Sequence, residues 1–405
     1  MIPPALVLVT PFRQYASKAG QEGFRVCSIW DPSLESPEYL RVVAERSDEL
    51  ILTDFTDRPG LRAVIRDAAL RLDARFVHHA GREDTMLLAY EVADELGKAA
   101  NPPRAVHLLN DKLAMRELLG RHGLSPVRHT HAPAWRAVAP LLDGFEPPVV
   151  VKPTSLAGSR GVQLLRRPDE LPEWGRLLDG YGYDGPVLVE EFLRGPEFSV
   201  ETLSAAGVHH VVGVTAKQLG PPPLFVETGH VHPAPVTAAR RMAMGELTVR
   251  LLRAAGYRNG PAHTEVIWTA AGPRIVESQA RVGGDRIFRL VELATGVDIE
   301  RAMFTVLAGR EPDLAPRCQR VARIGYFGFP PGTLESVTGL DLARELPGVA
   351  DLHFPFAPGD RLPPVVDSKS RHGYAIVSGA THEEAARLLA RVHDLVRVRV
   401  RPALP

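Results

Sequence analysis

The sequence predicts a chain of mixed α/β and α+β class, in which a doubly wound N-terminal unit is followed by units built on short strands and hairpins. Three observations carry this reading. Up to about Pro102, apolar runs that suit buried parallel strands alternate with helical segments. From Pro148 onward, short apolar or alternating runs recur between Gly and Pro breaks, as strands and turns do. A length of 405 residues exceeds what one compact core holds and calls for several units.

Taken in order, Ala5 to Thr10 (ALVLVT) is a continuous apolar run of the kind a fully buried parallel strand shows. Phe24 to Ile29, Leu50 to Thr53 and Phe76 to His79 repeat the pattern, and Leu61 to Leu72 between the last two is amphipathic. The unit ends near Pro102-Pro103, and no glycine-rich dinucleotide fingerprint follows its first strand, which excludes NAD binding of the usual kind. Asn110 suits the N-cap of a helix from Asp111 to about His122, with Gly123 as its stop. Lys112 then lies in the first turn, where the helix dipole disfavours a cation unless an anion also approaches. A solvated lysine has the same signature.

Pro148 to Lys152 (PVVVK) reads as a buried strand that delivers a lysine to a loop of small residues, Thr154, Ser155, Gly158, Ser159 and Gly161. Such a loop lets backbone N–H groups approach phosphate oxygens, with the lysine as a point charge on the same group. A hairpin turn with an edge lysine explains the glycines but not so apolar a run ending in Lys152. Val187 to Val189 is another buried strand, and the short hinge after it, Glu190 to Pro196, offers a seat for a flat base before the strand FSVETLS. Glu197, past the hinge, suits ribose hydroxyls or plain solvation. Val211 to Pro235 reads as a strand and a proline-rich loop carrying Lys217, Glu227, His230 and His232, with no metal-ligand spacing.

His263 to Gln279 is the most informative stretch. Two alternating runs flank Ala270-Ala271-Gly272, a hairpin pattern. Pairing symmetric about Ala271 sets 269 against 273, 267 against 275, 265 against 277 and 263 against 279, so His263, Glu265, Glu277 and Gln279 share one face. Glu265 and Glu277 would then oppose each other with β-carbons about 5 Å apart, which is destabilising unless a positive charge lies between them. Mg²⁺ takes such carboxylate and carbonyl oxygens together with phosphate oxygens. A solvated face that happens to align two glutamates has the same pattern. Arg286 to Leu307 is a helical segment. The part from Gln319 holds candidate strands VARIGYFGF and GYAIVSGA and a helix from Thr381 to Val396 with a capping box to Glu384, and shows no catalytic constellation.

Bulk properties narrow the partners. With 24% charged and 45% hydrophobic residues the chain is of ordinary globular composition, and a formal net charge of zero gives no field to gather nucleic acid or an anionic membrane. Small metabolites are the expected partners. Cys27 and Cys318 fit neither a disulfide framework nor a zinc site and read as buried thiols in a reducing compartment. The N-terminus lacks a basic n-region and no apolar run approaches membrane-spanning length, so the expectation is cytoplasmic.

The ordered set of Lys112, Lys152 with its glycine loop, VEEFLRGPE (Val189 to Glu197) and the paired Glu265 and Glu277 resembles the ATP-grasp superfamily over essentially the whole chain. The resemblance implies a Rossmann-like pre-ATP-grasp domain over 1–109 and a two-lobed ATP-grasp domain. Its small lobe, with the glycine-rich loop, would span 110–189, and its large lobe, with the metal hairpin, 190–318. A C-terminal α+β subdomain would fill 319–405. It implies that Lys112, Lys152, Ser155 and Ser159 meet ATP phosphates, that Glu190 and Leu193 seat adenine, and that Glu197 holds ribose. Glu265, Glu277 and Gln279 would bind Mg²⁺, or Mn²⁺ in its place; many members have Asn where Gln279 stands.

Within the superfamily, ESQARVGGDRI and ETGHVHPAP are similar to the L-amino acid ligase branch. By that similarity Arg281 holds a substrate carboxyl group and its tetrahedral intermediate, while Glu227 and His230 line an amino acid pocket. The implied activity is ATP-dependent carboxylate–amine ligation, with an amino acid and an amine as substrates and a homodimer by family habit. An ATP-grasp carboxylase, a ligase of the purine-biosynthesis type, and an ATP-binding module without turnover share the same residues.

Overall fold

The computed structural model describes residues 3–79, 81 and 83–402. Residues 1, 2 and 403–405, the outer ends of the first and last expected units, lie outside it. Strands β1 (Ala5–Val9), β2 (Arg25–Trp30), β3 (Glu49–Leu52) and β4 (Ala74–His79) form a parallel sheet in the order β3-β2-β1-β4. The unbroken apolar run of β1 has a direct cause. Ala5, Val7 and Val9 enter one core with Ile65 and Ala89, and Leu6 and Leu8 enter another with Tyr15 and Phe304, so both faces are covered.

A second sheet, ordered β5-β8-β6-β7, holds β5 (His129–Ala132), β6 (Val149–Pro153), β7 (Gln163–Leu165) and β8 (Val187–Glu191). The helix Leu171–Gly180 covers it with Trp174 and Leu178. The largest sheet has eight strands: β9 (Glu197–Ala205), β10 (Val208–Leu219), β11 (Glu227–His232), β12 (Gly260–Thr269), β13 (Gly272–Gln279), β14 (Val321–Tyr326), β16 (Val349–His353) and β18 (Tyr374–Gly379). Its order is β13-β12-β9-β10-β11-β14-β18-β16, so the C-terminal part extends the sheet that carries the hairpin. That part also builds a three-stranded sheet of β15 (Gly332–Thr338), β17 (Arg361–Leu362) and β19 (Arg397–Pro402). Among the described residues no helix is long and apolar enough to cross a membrane.

The structure corrects several local expectations. Asn110 ends the helix Pro103–Asn110 instead of capping the next one, and its side-chain oxygen accepts from the Ala280 N–H at 2.8 Å. The cap is Asp111, whose backbone is extended and whose carboxylate accepts from the Ala114 N–H at 2.8 Å, so the helix runs Lys112–Arg121. Glu227, His230 and His232 lie on β11, not in a loop. The segment Arg286 to Leu307 is two helices, Ile287–Thr295 and Ile299–Leu307, because Gly296 at φ 77° closes the first and Asp298 caps the second. Cys27 is buried, and burial pushes its thiol up to about 12; Cys318 is exposed, against expectation. Thr381 caps its helix as read, accepting from the Glu384 N–H at 3.1 Å.

Because Asp111 holds the start of the helix that carries Lys112, Asp111→Ala should lower stability by about 1 kcal/mol. Urea unfolding of the two proteins checks this, and an unchanged midpoint would show that the cap contributes nothing.

Candidate active site

The hairpin of β12 and β13 organises the cleft, and its register is not symmetric. The turn has two residues, with Thr269 opposite Gly272 and Ile267 opposite Arg274, so the tip pairs one residue off the expected alignment. A bulge then intervenes: Val266 pairs with Ile275 but Glu265 with Glu277, leaving Val276 as the extra residue. Beyond it the expected pairs Glu265–Glu277 and His263–Gln279 stand, and His263, Glu265, Glu277 and Gln279 line one cavity. The bulge has a second effect. It turns the Ile275 and Val276 carbonyls toward the helix Lys112–Arg121 and β6, where Arg116 donates to both at 3.0 and 3.5 Å and Lys152 Nζ donates to Val276 at 3.4 Å.

Three charged groups meet behind this bulge, and a separate pair stands beside them. Lys152 Nζ and Arg116 Nε each lie 2.7 Å from the Glu190 carboxylate, all three side chains being buried. Burial opposes the Glu190 charge, but Arg116 and Lys152 outweigh it and hold the carboxyl below its ordinary range. The Glu190 side chain is thus committed to two cations. Lys112 Nζ lies 3.1 Å from Glu277 Oε2 and donates to the Leu156 carbonyl at 2.8 Å, so the anion that approaches this helix start is a hairpin glutamate.

A second cluster centres on Lys217, which the sequence reading left without a role. Its buried ammonium reaches Glu265 at 2.6 Å, Glu197 at 2.5 Å and Glu227 at 3.4 Å. Burial disfavours that charge, yet the carboxylates of Glu197, Glu265 and Glu227 hold Lys217 well above the ordinary lysine value. Burial likewise raises Glu197, whereas Lys217 and His263 overcome it at Glu265 and hold that carboxyl low. Four glutamates, 197, 227, 265 and 277, thus face Lys112 and Lys217 in one cavity. The donors are all oxygens, and Gln279 Oε1 is buried without a hydrogen-bond partner while its amide nitrogen bonds Glu277. An orphaned carbonyl oxygen beside two opposed carboxylates fits a hard divalent cation.

The neighbouring walls differ in character. Phe192, Leu193, Phe225 and Ile267 give an apolar side, with Phe192 and Phe225 stacked at 6.2 Å. Gly195 is required in the hinge: at φ 155° a Cβ would stand 2.0 Å from the Trp268 carbonyl oxygen. Glu227, His230 and Arg281 line the other end. His230 Nε2 meets Asp285 Oδ2 at 2.9 Å, and its Nδ1 is buried without a partner. Arg281 donates to the Val282 carbonyl at 2.9 Å and lines the cavity. The glycine-rich loop, with Gly158, Ser159 and Gly161 at positive φ, brings Ser159 Oγ 3.5 Å from Glu227. Ser155 is exposed on the same loop and is not among the cavity walls.

The C-terminal part, expected to hold no catalytic constellation, does send side chains to the residues around the cleft. Ser368 Oγ donates to Glu227 Oε2 at 2.9 Å, and Arg371 forms a two-point pair with Asp285 while lying 3.5 Å over the Tyr326 ring. No local signal links residues this far apart. Arg116 did have one, since its four-residue spacing from Lys112 sets both on one helix face.

Residues 145–288 match the family model described as ATP-grasp domain, and residues 325–401 match L-amino acid ligase C-terminal domain 2. Fold and site together thus define an ATP-grasp protein. More narrowly, the chain carries an ATP-grasp domain followed by the L-amino acid ligase C-terminal domain 2. It is 30% identical over 305 residues to "Uncharacterized protein y4rH" of Sinorhizobium fredii, covering 74% of this chain and 63% of that protein. To the alanine–anticapsin ligase of Bacillus subtilis it is 24% identical over 250 residues, covering 55% of this chain and 52% of the relative. The crystal structure of L-amino acid ligase from Bacillus licheniformis superposes with a TM-score of 0.83 at 21% identity, covering 99% of this chain and 100% of that one. The matches thus span between half and two thirds of these curated relatives' own length.

His263 gives a pH test of the site. Burial opposes its charge, but Glu201 at 2.8 Å and Glu265 at 3.5 Å bring the ring up to about 9. A histidine raised from about 6.5 contributes stability that is complete below about pH 6.5 and is lost as pH rises to about 9. Unfolding without Mg²⁺ at about pH 6 and about pH 9.5 should show wild type losing stability more steeply than His263→Gln. Parallel losses would show that this ring is not the cause.

Proposed function

We propose that the protein is an ATP-dependent carboxylate–amine ligase that activates an amino acid carboxylate as an acyl phosphate and joins it to the amine of a second amino acid, with release of ADP and phosphate. The observation that carries this is the partnerless Gln279 Oε1 beside the opposed Glu265 and Glu277, in a cleft that also collects Lys112, Lys152 and Arg281. The similarity to an alanine–anticapsin ligase and to an L-amino acid ligase supports the same direction. We place the reaction in the cytoplasm, where Mg²⁺-ATP is available. We assign nucleotide binding to 110–189 and 190–318, and the amino acid pocket to the end of 190–318 lined by Glu227, His230 and Arg281, where Ser368 of 319–405 joins the wall.

The roles follow from charge. A carboxylate attacking the γ-phosphate brings negative groups together, so cations must neutralise the phosphates and hold the attack in line. Lys112 and Lys152 supply two of them, and Glu265, Glu277 and Gln279 would hold Mg²⁺ as a further one. The apolar side at Leu193 receives adenine, where the hinge backbone reads it, because the Glu190 carboxylate is already taken by Arg116 and Lys152. Glu197 holds the ribose once Lys217 shares its charge. Glu227 and His230 Nδ1 face the amino acid, the carboxylate taking its ammonium group. When the amine adds to the acyl carbon, Arg281 stabilises the developing oxyanion; the C–O bond to phosphate then breaks, and the nitrogen loses its proton.

ADP release with Mg²⁺-ATP, measured against amino acids offered singly and in pairs with mass analysis of the products, tests the reading. Release that needs two amino acids and yields their condensation mass is the expected result; release with no pair would overturn it. In the pair found active, Arg281→Ala should keep nucleotide affinity and lose about 10²–10³ in amide formation, the scale of a removed oxyanion donor. Glu277→Ala should instead lose affinity for Mg²⁺-ATP. Full activity of either variant removes that residue from its role.

A further inference from the structure

The segment 366–371, far along the chain from the nucleotide cleft, touches the glycine-rich loop and its support at several points. The Ser368 N–H donates to the Gly158 carbonyl at 3.3 Å, while Ser368 Oγ donates to the Glu227 carboxylate on which Ser159 also rests. Asp367 Oδ2 accepts from the Tyr181 hydroxyl at 3.1 Å. Tyr181 follows the helix Leu171–Gly180, whose Trp174 Nε1 donates to the Gly161 carbonyl at 2.8 Å and whose Leu178 leaves no room for a Cβ at Gly161.

The segment is itself held in shape. Asp367 Oδ1 accepts from the Lys369 and Ser370 N–H groups at 2.9 and 2.8 Å, and Ser370 Oγ accepts from those of Val366 and Asp367 at 2.9 and 3.0 Å. At its far end Arg371 is fixed by Asp285 and by the Tyr326 ring.

We propose that Ser368 is a positioning residue, and that 366–371 is the fixed surface against which the glycine-rich loop closes. One residue then does two things at once. Its hydroxyl aims Glu227 at the amino acid and steadies the carboxylate on which Ser159 of the loop rests, and its backbone N–H holds the loop shut over the acyl group. The inference rests on the ligase reading above, because closure matters most when an acyl phosphate must be kept from water. Water in place of the amine would return the carboxylate and phosphate, with one ATP spent and no amide formed.

The readout is therefore coupling. With the active amino acid pair, wild type should release ADP and form amide in equal amounts. Loss of one hydrogen bond in Ser368→Ala should raise the ADP-to-amide ratio about fivefold, and Ser368→Thr should bring it back toward wild type. Tyr181→Phe, outside the cavity walls, should raise it less. In parallel, hydrogen exchange of residues 154–162 is followed with a non-hydrolysable ATP analogue and Mg²⁺, which needs no amino acid. Protection in wild type that falls in both Ser368→Ala and Tyr181→Phe supports the proposal. Unchanged protection in both variants overturns it, as does an unchanged ratio where wild type makes amide. If wild type makes no amide with any pair, the ligase reading has failed, and the exchange result alone decides the contact.

Discussion

Charge balance among buried carboxylates is the constraint on which the cleft depends. Glu190 is held by Arg116 and Lys152, and Glu197, Glu227 and Glu265 surround Lys217. A buried charge without a partner costs several kcal/mol, so each of these groups is tolerable only because neighbouring elements bring the others to it: β9 to β12 of the large sheet for Lys217, and the helix Lys112–Arg121, β6 and β8 for Glu190. The consequence is structural as well as chemical. Arg116 lies on the helix Lys112–Arg121 and Lys152 on β6, whereas the bulged carbonyls that also receive them belong to the hairpin. Hairpin, helix and β6 are therefore held in register by the same two cations that hold Glu190.

The bulge at Val276 shows why face and register must be read separately. A two-residue turn shifts every pair near the tip by one, which alone would move Glu277 to the opposite face. One extra residue restores the parity just before the glutamates. The alternation of apolar and polar residues therefore reported the face shared by His263, Glu265, Glu277 and Gln279 correctly while misplacing the turn. Sequence patterning records which side chains are buried together, and several turn geometries satisfy the same record.

What was legible follows from that distinction. The parallel strands were readable because burial on both faces leaves a continuous apolar run, and the Thr381 cap because its partner is three residues away. Lys152, Glu265, Glu277 and Gln279 were readable because each ends or punctuates an apolar pattern. The Asn110 assignment failed for the opposite reason: Asn110 and Asp111 are equally good caps locally, and the choice was made by Ala280, which takes the asparagine oxygen from across the cleft. Lys217 lies on the partner strand of Glu197, and only the strand pairing reveals their contact. Ser368 and Arg371 had no local signal at all. Their contacts depend on where the C-terminal strands dock.

That docking is a consequence of sheet continuity. β14 pairs with β11, the strand that carries Glu227 and His230, and β18 pairs with β14, so the C-terminal part is hydrogen-bonded to the strand that walls one end of the cleft. A unit joined only through a linker would place a serine hydroxyl with the freedom of the linker. One joined through a shared ladder places it with the rigidity of the sheet, and the core around Phe327, Phe354 and Leu362 fixes the loops that emerge from it. The Asp285–Arg371 pair then has a role that its energy alone would not justify, since a buried ion pair is often no more stable than an apolar contact. Asp285 stands in a left-handed conformation just past the hairpin, and Arg371 stands at the end of the C-terminal loop. Their two-point geometry admits one relative placement of hairpin and loop, which is what a site assembled from distant parts of the chain requires.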